Sequence, residues 1–179
     1  QEAKLTVLNR YFSLSKQALE QGNTLLAWPE TALWTEYTLV GGEISNMLSL
    51  HSAQLLGGFP TTTNEHLYNS VLWLDGSLNW KSIYRKRIPI PLTESQFTPS
   101  QDKNITLDTP YGVIGTPICF ETFYPYISRA MTKQGARGLV VFANDAGFER
   151  SKVSTSMTKH TILRALESRR DLVRVAQSG

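Results

Sequence analysis

The sequence predicts a layered α/β domain, and two observations support this fold class. Segments with helical periodicity alternate along the chain with short apolar runs that are typical of buried strands. Two hairpin signals are inserted into that order, and no repeat or low-complexity linker interrupts it. With 179 residues, of which 41% are hydrophobic, the chain is long enough for one domain with a substantial core. We therefore predict a single α/β domain over residues 1–179 rather than a barrel or sandwich of strands alone.

The first half of the chain opens with an amphipathic helix. Residues 2–19 place Leu8, Phe12 and Leu19 near a period of 3.6 residues. The apolar run TLLAW, which stops before Pro29, has the length and composition of a short buried strand. After it we predict a helix at 43–53, a strand at 54–59, and strands at 68–76 and 80–87 that form a hairpin around Asp75-Gly76.

The second half continues the alternation of strands and helices. Residues 104–120 predict two short strands around the turn sequence Pro110-Tyr111-Gly112. The run GLVVFAN is rich in β-branched residues and predicts a strand at 138–144. The remaining predicted elements are helices at 124–136 and 158–171 and a final strand within 171–179.

Charge and cysteine content narrow the possible function classes. The 18 basic and 15 acidic residues give a net charge of +3, with basic clusters only at Arg85–Arg87 and Arg169-Arg170. This distribution is too diffuse for a nucleic-acid surface, so we expect no nucleic-acid partner. The single cysteine cannot form an internal disulfide. No apolar run approaches the ~18 residues of a membrane span, and no signal peptide is recognisable.

Both ends of the sequence predict a truncated chain. Gln1 is not an initiator residue, and helical periodicity is present from the first residues onward. The last predicted strand stops where a parallel sheet would normally continue. We therefore expect the chain to be a fragment of a longer protein, with any membrane segments outside it.

Charged residues beside apolar strands mark the candidate site. WPETALW contains Glu30, YRKRIPIPLTES contains Lys86 and Glu94, and ICFETFYP contains Cys119 and Glu121. Each of these stretches falls at the end of a predicted strand, which is where layered α/β folds usually place their chemistry. Along the chain, a glutamate, a lysine and a cysteine therefore follow one another, each in a loop that could contribute to the same site.

The chemistry of such a trio is coherent. A free thiol has a pKa near ~8.5 and needs a base to become an effective nucleophile at neutral pH. A carboxylate in a dry pocket can take the thiol proton and later return it to a leaving group, a role available to Glu30. An ammonium favours the thiolate and stabilises the oxyanion of a tetrahedral intermediate, a role available to Lys86. We therefore expect Lys86 to lower the pKa of Cys119 and to make the thiol unusually reactive.

Each residue also has a structural interpretation. A lone cysteine between Ile118 and Phe120 is more often a packed core residue than a nucleophile. Glu30 follows a proline and could cap a helix, and Lys86 lies in a basic cluster of the kind that is usually solvated. Glu94 and Glu121 could be ordinary surface carboxylates, and Asn144-Asp145 could be an ordinary turn. The joint occurrence of three motifs favours the catalytic hypothesis.

His51, His66 and His160 match no Cys–His dyad or metal-ligand spacing, and we predict neither a metal nor a cofactor.

In this order and with these flanking residues, the trio resembles the carbon–nitrogen hydrolase (nitrilase) superfamily. The resemblance is closest to its apolipoprotein N-acyltransferase branch and extends from Trp28 to Gly179. The matching motifs are Tyr84, Lys86, Pro91 and Glu94; Cys119-Phe120-Glu121; NDAGF at 144–148; YNS at 68–70; and RALESRR at 164–170. Departures from the branch pattern occur at Gly147, Leu92-Thr93 and Ser156-Met157.

The resemblance implies a fold and a set of residue roles. The fold is a nitrilase-like αββα sandwich. The implied catalytic residues are Glu30, Lys86, Cys119 and Glu94, with Glu94 orienting Lys86 or the incoming nucleophile. Trp28, Tyr84, Phe120 and Glu121 are the implied substrate-binding residues.

The resemblance also implies partners and a location. A phospholipid would be the acyl donor and an apolipoprotein the acceptor. The domain would face the periplasm from the bacterial inner membrane. Two alternatives stay open: a soluble amidase or nitrilase, located in the cytoplasm, and a catalytically silent binding module on the same fold.

Overall fold

Two mixed four-stranded sheets, each covered by helices on its outer surface, form the core of the molecule. The structure is a computed structural model that describes residues 2–146 and 152–177. Its elements are α1 (Glu2–Glu20), β1 (Leu25–Trp28), α2 (Tyr37–Leu50), β2 (Gln54–Thr63), β3 (His66–Leu74), β4 (Ser82–Arg85), β5 (Thr106–Thr109), β6 (Gly112–Gly115), a 3₁₀ turn (Cys119–Phe123), α3 (Pro125–Lys133), β7 (Gly138–Ala143), α4 (Lys152–Ser168) and β8 (Asp171–Ala176). The predicted α/β layered class is confirmed.

The first sheet has the strand order β1-β2-β3-β4 and the second the order β5-β6-β7-β8. In the first sheet only the β1–β2 pair is parallel. In the second sheet β5 and β6 are antiparallel, whereas β6, β7 and β8 run parallel. The predicted hairpins around Asp75-Gly76 and Pro110-Tyr111 are present as β3–β4 and β5–β6.

The strands of the first sheet are apolar on both faces because both faces are covered. Leu55 and Leu72 pack toward α1 and α2, whereas Leu56, Val71 and Trp73 pack toward the second sheet. Successive side chains of a strand point to opposite faces, so a sheet between two layers requires continuous apolar runs. For this reason, the strands were recognisable as continuous apolar runs and not as an alternation of apolar and polar residues.

The structure also differs from the predicted boundaries. α2 begins at Tyr37 rather than at residue 43, because the Tyr37 ring is buried against Phe59 and Trp80 and anchors an extra turn. α4 begins at Lys152 rather than at 158, where its first turns lack apolar periodicity. A third hairpin, β2–β3, turns at Asn64-Glu65, where both residues have positive φ. This geometry usually requires glycine, so no turn signal is recognisable at these two positions.

Some predicted features fall outside the described part of the chain. These are Gln1, the motif residues Gly147 and Phe148, and the last two residues of the predicted final strand. Within residues 2–146 and 152–177, none of the helices has the length and apolar character needed to cross a bilayer.

Gly58 on β2 is required by the close approach of the loop that follows β1. A Cβ at this position would lie 2.3 Å from the Pro29 carbonyl oxygen and 2.7 Å from the Glu30 Cα. Both neighbours are backbone atoms and cannot rotate away. The Gly58 carbonyl oxygen also accepts a hydrogen bond from the Ala32 N–H at 3.0 Å, which ties the same loop to the sheet.

We expect Gly58→Ala to lower the free energy of unfolding by about 1–3 kcal/mol, because the added methyl group overpacks fixed backbone. Gly42→Ala is the matched control, since a Cβ at this exposed position in α2 would meet nothing within 4 Å. It should stabilise the helix by about 0.5–1 kcal/mol. Urea unfolding monitored by circular dichroism measures both changes. Equal stability of Gly58→Ala and the wild type would show that the loop adjusts freely.

Candidate active site

A buried lysine between two glutamates forms the centre of the candidate site. The Lys86 Nζ lies 2.8 Å from the Glu30 Oε1, 2.8 Å from the Glu94 Oε2 and 3.0 Å from the Glu94 Oε1. Lys86 is 1% exposed and Glu30 is 3% exposed. The structure therefore brings together three of the residues that the sequence predicted as catalytic.

Glu30 is held in place by contacts from both sheets. Its Oε2 accepts a hydrogen bond from the Asn144 N–H at 2.9 Å, at the end of β7. The next residue, Thr31, has a positive φ of 42°, which is rare for a β-branched residue. The Asn144 side-chain amide donates to the Thr31 Oγ1, and the Gln177 side-chain amide donates to the carbonyl oxygens of Glu30 and Thr31. These contacts fix the strained loop that carries Glu30.

Electrostatics keep Lys86 charged although it is buried. Burial lowers the pKa of the Lys86 ammonium, but the charges of Glu30 and Glu94, together with Cys119, outweigh burial and raise the pKa above its ordinary value. The main chain of Lys86 is fixed as well, because its N–H donates to the Asn69 carbonyl oxygen at 2.8 Å. Lys86 is thus a permanent, positioned positive charge.

Cys119 completes the group at the first residue of the 3₁₀ turn. Its φ of +48° is unusual for a residue with a side chain, and the thiol is 2% exposed. The Glu30 carboxylate forms a hydrogen bond with the thiol, and the Asn144 N–H also contacts it. The structure therefore joins Cys119 to Glu30 and Lys86 in one buried site.

Lys86 lowers the pKa of Cys119, as expected, but the net pKa of the thiol is raised, so the expectation of an unusually reactive thiol is wrong. Burial raises the pKa most, the Glu30 charge and hydrogen bond raise it further, and Lys86 opposes these effects without overcoming them. Burial disfavours the charged thiolate, and the neighbouring Glu30 carboxylate repels it. Cys119 is therefore a neutral thiol in the free protein, with a carboxylate positioned to take its proton.

Glu121 is completely buried and bonded to the protein through both oxygens. The Tyr84 hydroxyl donates to both oxygens, the Arg87 N–H donates to Oε1 at 2.7 Å, and the Ile118 N–H donates to Oε2 at 2.8 Å. Burial raises the pKa of Glu121, and the Ile118 and Arg87 amides oppose this rise. Glu121 thus connects the Cys119 turn to the segment that carries Lys86.

Three of the four residues predicted to bind substrate make their polar contacts with the protein itself. Glu121 and Tyr84 bond to each other in the interior. Trp28 packs beside Phe12, and its indole N–H donates to the Ser15 Oγ at 2.9 Å, on the α1 side of the sheet. Phe120 is partly exposed. Substrate contact by these four residues stays a prediction.

The structural interpretations of Glu30, Lys86 and Asp145 do not fit the structure. No helix begins at Thr31 for Glu30 to cap, since α2 begins at Tyr37. Lys86 is buried rather than solvated, and Asp145 is a buried partner of Arg174 rather than part of an ordinary surface turn.

The structure also reveals site residues that the sequence did not single out. Asn69 lies beside both carboxylates, and Asn144 and Gln177 contact the Glu30 loop. Asn69 and Asn144 occur in the YNS and NDAGF motifs, so the signal was present without a role attached to it. Nothing in the sequence around Gln177 indicates its contact with a loop that precedes it by 147 residues.

The family model for carbon–nitrogen hydrolases matches residues 2–179. The chain belongs to the carbon–nitrogen hydrolase family. A crystal structure of a carbon–nitrogen hydrolase from Helicobacter pylori superposes with a TM-score of 0.81, at 17% identity, over 98% of this chain and 70% of that one. This superposition confirms the predicted nitrilase-like αββα fold.

Relatives within the family come from two branches. An apolipoprotein N-acyltransferase of Geobacter metallireducens is 45% identical over 73 residues, which are 41% of this chain and 14% of that protein. A second, from Synechocystis, is 26% identical over 189 residues, covering 92% of this chain and 35% of that protein. Omega-amidase NIT2 of Xenopus tropicalis is 29% identical over 154 residues, 74% of this chain and 56% of that protein. The chain thus spans 35% or less of these two acyltransferases.

We expect iodoacetamide to alkylate Cys119 more slowly than a model thiol at pH 7, because the raised pKa of Cys119 leaves less thiolate. The rate should rise about tenfold per pH unit from pH 7 to 10, whereas a model thiol levels off above its pKa of about 8.5. Stopped-time alkylation with mass spectrometry of the Cys119 peptide measures both profiles.

Glu30→Gln provides the matched variant for this measurement. It removes the negative charge that raises the pKa of Cys119, so alkylation at pH 7 should become faster than in the wild type. A wild-type profile that levels off below pH 8 would contradict the raised pKa of Cys119.

Proposed function

We propose that this chain is the catalytic domain of an acyl-transfer enzyme with a Glu30–Lys86–Cys119 triad, specifically an apolipoprotein N-acyltransferase. The observation that supports the triad most directly is the shared burial of one thiol, one carboxylate and one ammonium in mutual contact. Burying such a set costs free energy, and apolar residues would pack the same space better. Perturbed, buried titratable groups of this kind are typical of active sites.

In the first half-reaction, the Cys119 Sγ attacks the ester carbonyl carbon of a phospholipid. The thiol proton moves to Glu30, and the positive charge of Lys86 stabilises the oxyanion that forms. The tetrahedral intermediate then collapses, the carbon–oxygen bond breaks, and Glu30 returns the proton to the departing alkoxide. The products are a lysophospholipid and a thioester on Cys119.

In the second half-reaction, the free α-amine of a lipid-modified N-terminal cysteine attacks the thioester carbonyl. Glu30 accepts a proton from the amine, and the carbon–sulfur bond breaks as the proton returns to the Cys119 Sγ. An amide and a free thiol result. Glu94 keeps Lys86 in place through both steps, and Glu121 keeps the Cys119 turn in place.

The environment of the thiol supports transfer to an amine rather than to water. Phe120 packs against Phe123 and Tyr124, with ring centroids 5.5 and 5.4 Å apart, directly after Cys119. Trp34, from the loop that follows Glu30, is largely exposed and stacks on Phe97 at 6.1 Å. Aromatic surface at both loops suits an acyl chain and limits access of water to a thioester.

The acyltransferase relatives support this assignment by their names. The proposal includes a phospholipid donor, an apolipoprotein acceptor and a periplasmic domain at the bacterial inner membrane. A second candidate is a soluble amidase or nitrilase, in which water attacks the thioester. The omega-amidase relative supports it, because that alignment covers a larger share of the relative. The intact triad disfavours a silent binding module.

The roles of the two carboxylates can be separated by substitution. Glu30→Gln keeps the volume but removes the base, so acylation of Cys119 should fall by about 10²–10⁴-fold. Glu94→Gln should reduce acylation only about tenfold and act mainly on deacylation, because Lys86 keeps Glu30 as its partner. Single-turnover kinetics of both half-reactions measure this difference. If Glu94→Gln impaired acylation more than Glu30→Gln, the roles would be reversed.

The acceptor decides between the two enzyme candidates. With phospholipid in detergent and no peptide, the whole protein should accumulate a hydroxylamine-sensitive acyl group on Cys119. Addition of a lipopeptide with a diacylated N-terminal cysteine should discharge this group as an amide, which mass spectrometry detects. Cys119→Ser is the control and should form no thioester, because a hydroxyl ionises far less readily than a thiol.

Two outcomes would contradict the acyltransferase proposal. Steady release of free fatty acid without an acceptor would show that water attacks the thioester. Rapid release of ammonia from small amides, independent of lipid, would place the protein with the amidases.

A further inference from the structure

Asn69 lies in β3, is 1% exposed, and contacts both carboxylates of the site. Its side-chain amide donates to the Glu30 Oε1 at 2.7 Å and to the Glu94 Oε1 at 3.0 Å. Each of these oxygens also accepts a hydrogen bond from the Lys86 Nζ. Lys86, Glu30, Asn69 and Glu94 therefore form a closed ring in which two donors alternate with two acceptors.

The ring reduces the repulsion between the two carboxylates. Two carboxylates that share one ammonium repel each other, and in a buried site little solvent screens that repulsion. A neutral amide can donate one N–H to each carboxylate without adding charge. An aspartate here would add a further negative charge, and an apolar side chain would leave two carboxylate oxygens with one donor fewer.

The ring also determines which oxygen of Glu30 is available for chemistry. Oε1 accepts hydrogen bonds from Lys86 and Asn69, whereas Oε2 accepts one from the Asn144 N–H, and the Cys119 thiol also bonds this carboxylate. The carboxylates accept only, so the amide nitrogen of Asn69 must face them. Its Oδ1 receives no hydrogen bond from the residues that the structure describes. The orientation of Asn69 is thus set entirely by the two glutamates.

We propose that Asn69 is a positioning residue that holds Glu30 and Glu94 on the same ammonium and directs Glu30 toward Cys119. The proposal rests on the proposed roles of Glu30 and Cys119 and does not depend on the natural acyl donor or acceptor. The charged and titratable groups around Asn69 are Glu30, Glu94, Lys86 and, through Glu30, Cys119.

The test compares Asn69→Leu and Asn69→Ser with a matched control. Leucine has nearly the shape of asparagine but no donor, and serine keeps a single donor. Ser70→Ala is the control, because Ser70 is the equally buried neighbour in β3 and bonds Thr61 rather than the carboxylates. The probe is p-nitrophenyl butyrate, whose leaving group needs no proton, so the burst rate reports attack by Cys119 alone.

We expect Asn69→Leu to lower the burst rate at pH 7 at least about tenfold with little change in KM. The loss should appear in the burst rate and not in KM, because both carboxylates lose a donor that positions them while the substrate contacts stay the same. Asn69→Ser should fall between Asn69→Leu and the wild type. Ser70→Ala should keep the wild-type burst rate and KM.

The opposite results are equally clear. A wild-type burst rate in Asn69→Leu, or a lower melting temperature as its only change, would overturn the positioning role. If Asn69→Leu does not fold, the burst rate and KM of Asn69→Ser decide. Absence of any burst in the wild type would instead defeat the proposed function, and the role of Asn69 with it.

Discussion

The buried ammonium of Lys86 is the constraint on which the rest of the site depends. A charge without solvent must be compensated by fixed partners, and removing one partner of a buried pair typically costs about 3–5 kcal/mol. The loops after β1 and β4 must therefore place Glu30 and Glu94 within hydrogen-bonding distance of the Lys86 ammonium. Burial of this group, together with the charge of Glu30, also raises the pKa of Cys119, so the thiol of the free protein keeps its proton.

Glu121 transmits this constraint from one sheet to the other. Its carboxylate accepts hydrogen bonds from Tyr84 and Arg87 on one side and from Ile118 on the other. The segments that carry Lys86 and Cys119 therefore cannot move independently. The positive φ of Cys119 fits this arrangement, because strained backbone persists where the surrounding contacts determine it fully. Such preorganisation is the main way in which an enzyme lowers the cost of stabilising an oxyanion.

Much of this arrangement was predictable from the sequence. The remainder was not predictable, and the reasons are physical. Apolar runs revealed the strands, and motif order brought Glu30, Lys86 and Cys119 to one site. Motifs alone, however, do not distinguish a residue that touches substrate from one that positions its neighbour. Tyr84 and Glu121 were therefore assigned to substrate although they bond to each other in the interior. The net pKa of Cys119 was mispredicted because its direction depends on how completely the thiol is buried and on its contact with Glu30, which only the fold reveals.

The contacts of Glu30 extend across almost the whole chain. Its partners Asn69, Lys86, Asn144 and Gln177 lie 39, 56, 114 and 147 residues later in the sequence. During synthesis on the ribosome, the glutamate emerges before all of these partners. Contacts between residues so distant in sequence form late, after most of the loop-closure entropy has been lost. The thiol therefore meets Glu30 only when both sheets have docked, so the buried group of Glu30, Lys86 and Cys119 exists only in the completed fold.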